Sequence, residues 1–248
     1  MNVLVIDVGG TNVKVISTGQ RQPVKIPSGS DLTAARMASE VRKVAEGWKY
    51  EAVTIGFPGP VRRDRPTADP ANLGKGWVRF DFEKAFGRPV RLVNDAALQA
   101  LGSYHGGRML FLGLGTGLGS ALVADGVLEP LELAHLPYRK GKTYEDYLGR
   151  DGVKRLGRRK WTKHVAKVVG LLKHALQVDY VVLGGGEARR LKEVPRGARV
   201  GSNSHAFLGG YRLWEDPKNR YERKKRSGRS KTPKPGPASE SEPVRIAE

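Results

Sequence analysis

The chain of 248 residues reads as an alternating α/β protein with two related lobes. Three observations predict this. Short apolar, β-branched runs recur between helical patterns, as buried parallel strands do. A strand–glycine turn–strand unit near the N-terminus returns about 106 residues later. A 39% hydrophobic content, gathered in runs, supports a real core over most of the length.

The elements follow in order. Residues 2–7 (NVLVID) predict a strand, VGGTN a turn, and 13–17 (VKVIS) a second strand. Ser30 or Asp31 is expected to cap a helix over roughly 32–47, where Leu32, Ala35, Met37, Val41, Val44 and Ala45 form an apolar face. AVTIGF (52–57) is a strand stopped by Pro58-Gly59-Pro60, and 61–79 is loop-rich. PVRLV (89–93) is a strand, with Asn94-Asp95 leading into a helix from about Ala96 to Tyr104. MLFLG (109–113), the turn LGTGLG and SALVAD (120–125) form the second strand–turn–strand unit. A helix is expected at 160–177, with Val165, Val168, Val169, Leu172 and Leu176 at helical spacing. DYVVLGGG (179–186) is a strand and glycine turn, with a further helix expected after it. From Glu215 the chain is rich in Lys, Arg, Ser and Pro and almost free of apolar side chains, so 215–248 reads as a disordered basic tail. The expected division is 1–95, 96–214 and 215–248.

Charge and composition narrow the function. The formal net charge is +19, and the tail holds only +4 of it, leaving +15 on the body. Such a field attracts polyanions, although a solubilising surface would look the same. There is no cysteine, which excludes disulfides, thiolate metal sites and a cysteine nucleophile and fits a reducing, cytoplasmic setting. No apolar run approaches the ~18–20 residues of a membrane span, and MNVLVIDVGG lacks the basic start of a signal peptide.

Glycine turns let backbone N–H groups approach phosphate oxygens. Three occur: Gly9-Gly10-Thr11, Gly113–Gly119 and Gly184-Gly185-Gly186. The dinucleotide fingerprint fails, because three residues after Gly115 and Gly117 stand Leu118 and Ser120. The P-loop fails as well, since Leu136 stands where its first glycine belongs before Gly141-Lys142-Thr143. Asp7, before the first turn, either starts that turn or holds a hydrated Mg²⁺. Lys14 either neutralises phosphate or faces solvent. Asn94 and Asp95 both suit a helix cap, but a carboxylate at a strand end can also take the proton of an attacking sugar hydroxyl. Trp77 reads as a core or loop anchor.

Taken together, DVGGTNVK (7–14), GFPGP (56–60), Asn94-Asp95-Ala96, LGLGTGLGS (112–120), ELAH (132–135) and LGGG (183–186) stand in the order found in sugar kinases of the ROK family. Over residues 2–214 the chain resembles them, and it looks most like the polyphosphate glucokinase branch, which lacks the cysteine-rich zinc site of other members. The resemblance implies an actin-like, ribonuclease H-like fold of two lobes and transfer of a phosphoryl group from polyphosphate or ATP, with Mg²⁺, to glucose or a related hexose. It implies Asp95 as the base, and Asn72, Asn94, Glu132, His135 and Glu145 as sugar contacts. Asp7, Gly9, Gly10, Thr11, Lys14, Gly115, Thr116, Gly117, Gly184, Gly185 and Gly186 would handle Mg²⁺ and donor phosphates, with no zinc.

The implied partners are a hexose and a polyanionic donor, with a homodimer left open and no membrane or nucleic acid. The other class of function is a non-catalytic sugar-binding or regulatory protein. Its ROK repressor form carries an N-terminal helix-turn-helix, which does not match a first strand at residue 2. Ala134 departs from the family's usual Gly and would be strained if that position needs a positive φ.

Overall fold

The computed structural model describes residues 1–202 and 204–215. The first lobe begins with β1 (Val3–Val8), β2 (Asn12–Ser17) and β3 (Val24–Pro27), followed by α1 (Ala34–Val44) and β4 (Ala52–Phe57). A two-residue-per-arm hairpin, β5 (Val61–Arg62) and β6 (Arg65–Pro66), precedes α2 (Phe82–Phe86), β7 (Val90–Asn94) and α3 (Asp95–Ser103). The second lobe holds β8 (Arg108–Leu114), β9 (Leu118–Ala124), β10 (Val127–Leu131), a small hairpin of β11 (Pro137–Arg139) and β12 (Lys142–Thr143), α4 (Tyr144–Leu148) and α5 (Arg150–Ala175). It closes with β13 (Tyr180–Gly184), a 3₁₀ turn at Ala188–Arg190, β14 (Ala198–Val200) and α6 (His205–Glu215).

The two main sheets share one topology. The first runs β3-β2-β1-β4-β7 and the second β10-β9-β8-β13-β14. In each, three antiparallel strands joined by hairpins are followed by two parallel additions. The repeated strand–glycine turn–strand unit is thus the β1–β2 hairpin of one sheet and the β8–β9 hairpin of the other. β4, buried along its whole length, lies between β1 and β7, which explains its unbroken apolar run.

Two helices join the lobes. α3 follows β7 of the first sheet but packs on β8, β9 and β13 of the second. α6 follows β14 of the second sheet but packs on β1 and β4 of the first, with Phe207, Tyr211 and Trp214 over Val3, Val5 and Ala52. The helices cross each other so closely that a Cβ at Gly102 or Gly209 would overlap the carbonyl of His205 or of Leu98. Thr54 fastens the arrangement, donating to Gly210 O at 2.8 Å and accepting Trp214 Nε1 at 2.8 Å.

Several elements differ from expectation. α1 starts later and is capped by Thr33, whose side chain accepts Arg36 N, because Asp31 turns outward to pair with Arg36 and both Ser30 and Asp31 lie inside the turn closed by Leu32 N on Gly29 O. α5 begins ten residues before the expected start and breaks at Gly157, whose φ of 71° and ψ of 154° only glycine adopts readily. The helix expected after Gly186 is a single 3₁₀ turn, ended by an extended Leu191. α6 carries Gly209-Gly210, which on propensity alone argues against a helix. Trp77 is a core anchor, fully buried, with Nε1 donating to Gly74 O at 2.8 Å. Among the described residues no helix is long and apolar enough to cross a membrane. The expected disordered tail lies, beyond Glu215, outside the described residues.

Candidate active site

The β1–β2 turn forms one wall. Gly9 N donates to Asn12 O at 3.1 Å, and a Cβ on Gly9 would stand 2.9 Å from that oxygen, so the turn is this tight because Gly9 has no side chain. Ser28, at the end of β3, clasps it from behind: its Oγ donates to Gly9 O at 2.7 Å and its N to Thr11 O at 3.1 Å. Gly10 and Thr11 are exposed at the tip, where Asn72 comes within van der Waals reach of Gly10. Asp7 lies at the inner end of β1, and Lys14, its register partner on β2, donates to Asp7 Oδ2 at 2.9 Å. Lys14 is therefore engaged with a carboxylate rather than free in solvent.

The start of α3 forms the floor. Asn94 is the cap: its Oδ1 accepts Ala96 N at 2.8 Å, and its Nδ2 donates to Gly59 O at 3.0 Å, tying the Pro58-Gly59-Pro60 loop to the helix. Capping thus falls to Asn94. Asp95 has helical geometry at the first position, and its Oδ1 accepts Ala96 N at 2.7 Å. Burial, then the negative charge on Asp7, push the Asp95 carboxyl up to about 6, against the lowering effect of the Ala96 N–H; Glu132 adds a smaller upward push. Carboxylates from β1 and from the segment after β10 thus both act on the one at the start of α3.

The β8–β9 turn lies against the start of α3. A Cβ on Gly119 would approach Ala96 Cβ to 2.7 Å, so the hairpin abuts the first turn of α3, directly beside Asp95. Gly115 N donates to Gly117 O at 3.1 Å, closing the turn, and Thr116 is exposed at its tip. Glu145 joins this turn to the Glu132–His135 segment: Oε2 accepts Leu118 N at 2.9 Å, and its backbone N donates to Ala134 O at 3.0 Å. A Cβ on Gly117 would overlap the Glu145 carboxylate. Ala134 is buried and does not have a positive φ, so alanine stands there without the strain that the sequence raised. Glu132 and His135 are exposed, and the His135 ring makes no hydrogen bond among the described residues.

The third glycine turn divides. Gly184 is buried beneath the Phe111 ring, and Gly185 (φ 83°) lies against Leu114 O, so both are packing positions at the base of the second turn. Only Gly186 is exposed. Glu187, next in the chain, is 6% exposed and lies between Arg158 and Arg190.

Asp7 and, more weakly, Glu132 thus act on Asp95, Asn72 stands at the first turn, and Glu145 is linked to the second; among the described residues no three carboxylate or histidine side chains converge as a metal cluster. The structure leaves His135 and Thr116 at the surface and buries Gly184. Ser28 and Glu187 were absent from the sequence reading. Ser28 reaches Gly9 across 19 residues, and Glu187 reaches Arg158 across 29, separations at which no local motif exists.

Comparison with known proteins fits this architecture. Residues 3–129 match the model of the ROK family. The chain is 28% identical over 208 residues to a polyphosphate glucokinase of Mycobacterium tuberculosis, covering 75% of this chain and 77% of that protein. It is 32% identical over 137 residues to a glucokinase of Pyrobaculum calidifontis, covering 50% and 43%. Among solved structures, an inorganic polyphosphate/ATP-glucomannokinase from Arthrobacter sp. strain KM superposes with a TM-score of 0.67 at 23% identity, over 84% of this chain and 96% of that one. A ROK family glucokinase from Streptomyces griseus superposes with a TM-score of 0.67 at 15% identity, over 86% and 99%. The two sheets of like topology, each opened by a glycine hairpin, are the actin-like fold of these structures, and the chain belongs to the ROK family.

Proposed function

We propose that this protein is a sugar kinase that transfers a phosphoryl group from inorganic polyphosphate, ATP or both to the 6-hydroxyl of glucose or a closely related hexose. The observation that carries this reading is the Asp95 carboxyl, held near 6 at the helix start beside both glycine hairpins. A general base works best with a pKa close to the operating pH. Asp95 would accept the hydroxyl proton as the sugar oxygen attacks phosphorus. The relatives' names, polyphosphate glucokinase and glucokinase, support the hexose and the polyphosphate donor, and the name of the Arthrobacter polyphosphate/ATP-glucomannokinase supports both donors.

The other residues take roles from their positions. Asn94 has one amide N–H left after binding Gly59 O, and this N–H can meet a sugar hydroxyl. Glu132, His135 and Asn72 are accessible hydrogen-bonding groups, and Glu145 is held between the second glycine turn and the Glu132–His135 segment. The turn N–H groups of residues 9–11 and 115–117 would receive donor phosphates.

The residues present fit Mg²⁺. The candidate donors are oxygen only, as a hard cation prefers, and Asp95, raised first by burial, is raised further by Asp7, whose repulsion a cation would relieve. Lys14 covers one oxygen of Asp7 and leaves the other for a water of the ion. Mg²⁺ would supply charge neutralisation on the donor phosphates.

The decisive experiment is Asp95→Asn, followed by glucose titration calorimetry and a coupled phosphorylation assay with each donor. Sugar affinity is expected to stay within a few-fold while turnover falls about 10²–10⁴-fold. Wild-type turnover in the variant would remove Asp95 as base. Binding of glucose by the wild-type chain without any turnover would favour a sugar-binding protein instead.

A further inference from the structure

The segment that carries Glu132 and His135 is anchored at both ends. At the near end, Ser120 Oγ on β9 donates to Leu131 O at 2.8 Å and accepts Leu133 N at 3.1 Å. At the far end, Glu145 N donates to Ala134 O at 3.0 Å and Tyr144 N to Leu136 O at 3.1 Å. The first anchor belongs to the second sheet. The second belongs to α4, and a helix of five residues has little stability of its own. The place of His135 and Glu145 therefore depends on what holds α4.

α5 holds it, through a cluster of rings. Tyr138 of β11 and Tyr147 of α4 meet edge to face with centroids 4.9 Å apart, and Tyr147 meets His164 of α5 at 4.7 Å. Tyr144 lies 5.3 Å from Tyr138. Trp161 Nε1 donates to Leu148 O at 3.0 Å, and Arg155 donates to Asp146 O at 2.7 Å while covering the Tyr147 ring. One polar contact crosses the cluster: Tyr138 Oη and His164 Nδ1 stand 3.0 Å apart. Among the described residues no other side-chain hydrogen bond joins the β11–β12 hairpin to α5. Burial, then the charges of Arg139, Arg155 and Lys167, keep His164 below the ordinary imidazole value, so near neutral pH one ring nitrogen is an acceptor. Burial raises Tyr138, so its hydroxyl keeps the proton to donate.

We infer that Tyr138 and His164 are a positioning pair for the sugar: they fasten the β11–β12 hairpin and α4 to α5, and so set where His135 and Glu145 stand and how tightly a hexose is held. The sugar-kinase reading supplies the ligand, while the fastening itself is independent of it. The second glycine turn has its own closure, Gly115 N on Gly117 O, so donor binding is expected to be spared.

The test compares the full-length wild type with Tyr138→Phe, His164→Ala and His164→Asn. Glucose affinity is measured by titration calorimetry, and KM is measured for glucose, polyphosphate and ATP. Tyr138→Phe keeps the ring packing and removes only the hydroxyl, so it tests the hydrogen bond even if His164→Ala folds poorly. His164→Asn sets an amide near the place of Nδ1 and can restore the bond. Tyr138→Phe and His164→Ala are expected to raise the Kd and KM for glucose about tenfold, with kcat and the donor KM values within about twofold of wild type. His164→Asn is expected to recover most of the glucose affinity.

Unchanged glucose affinity in Tyr138→Phe and His164→Ala would overturn the positioning role. A fall in kcat with every KM unchanged would overturn it too, since a smaller folded fraction alone produces that. Equal weakening of glucose and donor would mean general loosening and would also overturn it, as would His164→Asn binding glucose no better than His164→Ala. A calorimetric loss in the variants of a chain whose wild type phosphorylates no sugar would support the pair and refute the kinase reading.

Discussion

The Lys14 ammonium lies 2.9 Å from Asp7 Oδ2 across the β1–β2 hairpin, and that ion pair tempers the charge that Asp7 projects onto Asp95. Replacing Lys14 by Met would leave Asp7 uncompensated, and the Asp95 carboxyl would rise further. The acidic limb of the kcat/KM profile is expected to move alkaline by about one pH unit. Lys14→Arg should keep the wild-type limb. A pH–rate series on the three proteins checks this, and an unmoved limb in Lys14→Met would separate Asp7 from the titrating group.

Asp95 itself makes two linked predictions. As a base it must be ionised, so kcat/KM is expected to fall about tenfold per unit below pH 6. For stability the sign runs the other way. Its folded-state value lies above the ordinary carboxylate value of 3.8, so the folded form favours the proton, and stability is lost as pH rises from about 4 through 6. Asp95→Asn stays neutral and keeps an acceptor for Ala96 N. It is expected to be more stable than the wild type at pH 7.5, by on the order of 2 kcal/mol, and equal to it near pH 3.5. Denaturant unfolding at the two pH values measures the difference.

Gly117 and Glu145 are fitted to each other. Gly117→Ala would drive a methyl group into the Glu145 carboxylate that holds Leu118 N, at a cost of about 1–3 kcal/mol. Gly117→Ala/Glu145→Ala should be less destabilised than the sum of its single variants, because the second change removes the clash. Strict additivity in thermal or urea unfolding would show that the two positions do not meet.

The α3–α6 crossing is expected to be the most sensitive point of the fold. Gly209→Ala would overlap Leu98 O, a backbone atom that has no rotamer to yield. Its destabilisation should reach about 1–3 kcal/mol, although alanine is the better helix former by about 1 kcal/mol. A stabilised Gly209→Ala would refute the close crossing.

The sequence alone determined seven of the ten strands of the two main sheets and the two glycine hairpins that relate them, because buried strands and tight turns leave local signatures in apolar runs and glycine, whereas the short outer strands β3, β10 and β14 carry no such run. Their order along the chain, resembling that of ROK sugar kinases, also marked Asp7, Asn94, Asp95 and the Glu132–His135 segment as candidates for one site. The sequence did not show that Asn94 would take the cap and Asp95 the first helical position, because both side chains are good caps and both accept Ala96 N, while only Asn94 is also tied to Gly59 O. It read past α6, because Gly209-Gly210 lowers helix propensity, and the gain from close packing against α3 and β1 exists only once those elements are in place. Tertiary structure likewise decided which glycines face the cleft and which, like Gly184 under Phe111, make room for a neighbour. Distances between segments far apart in the chain are set by how whole faces pack, and no local pattern records them.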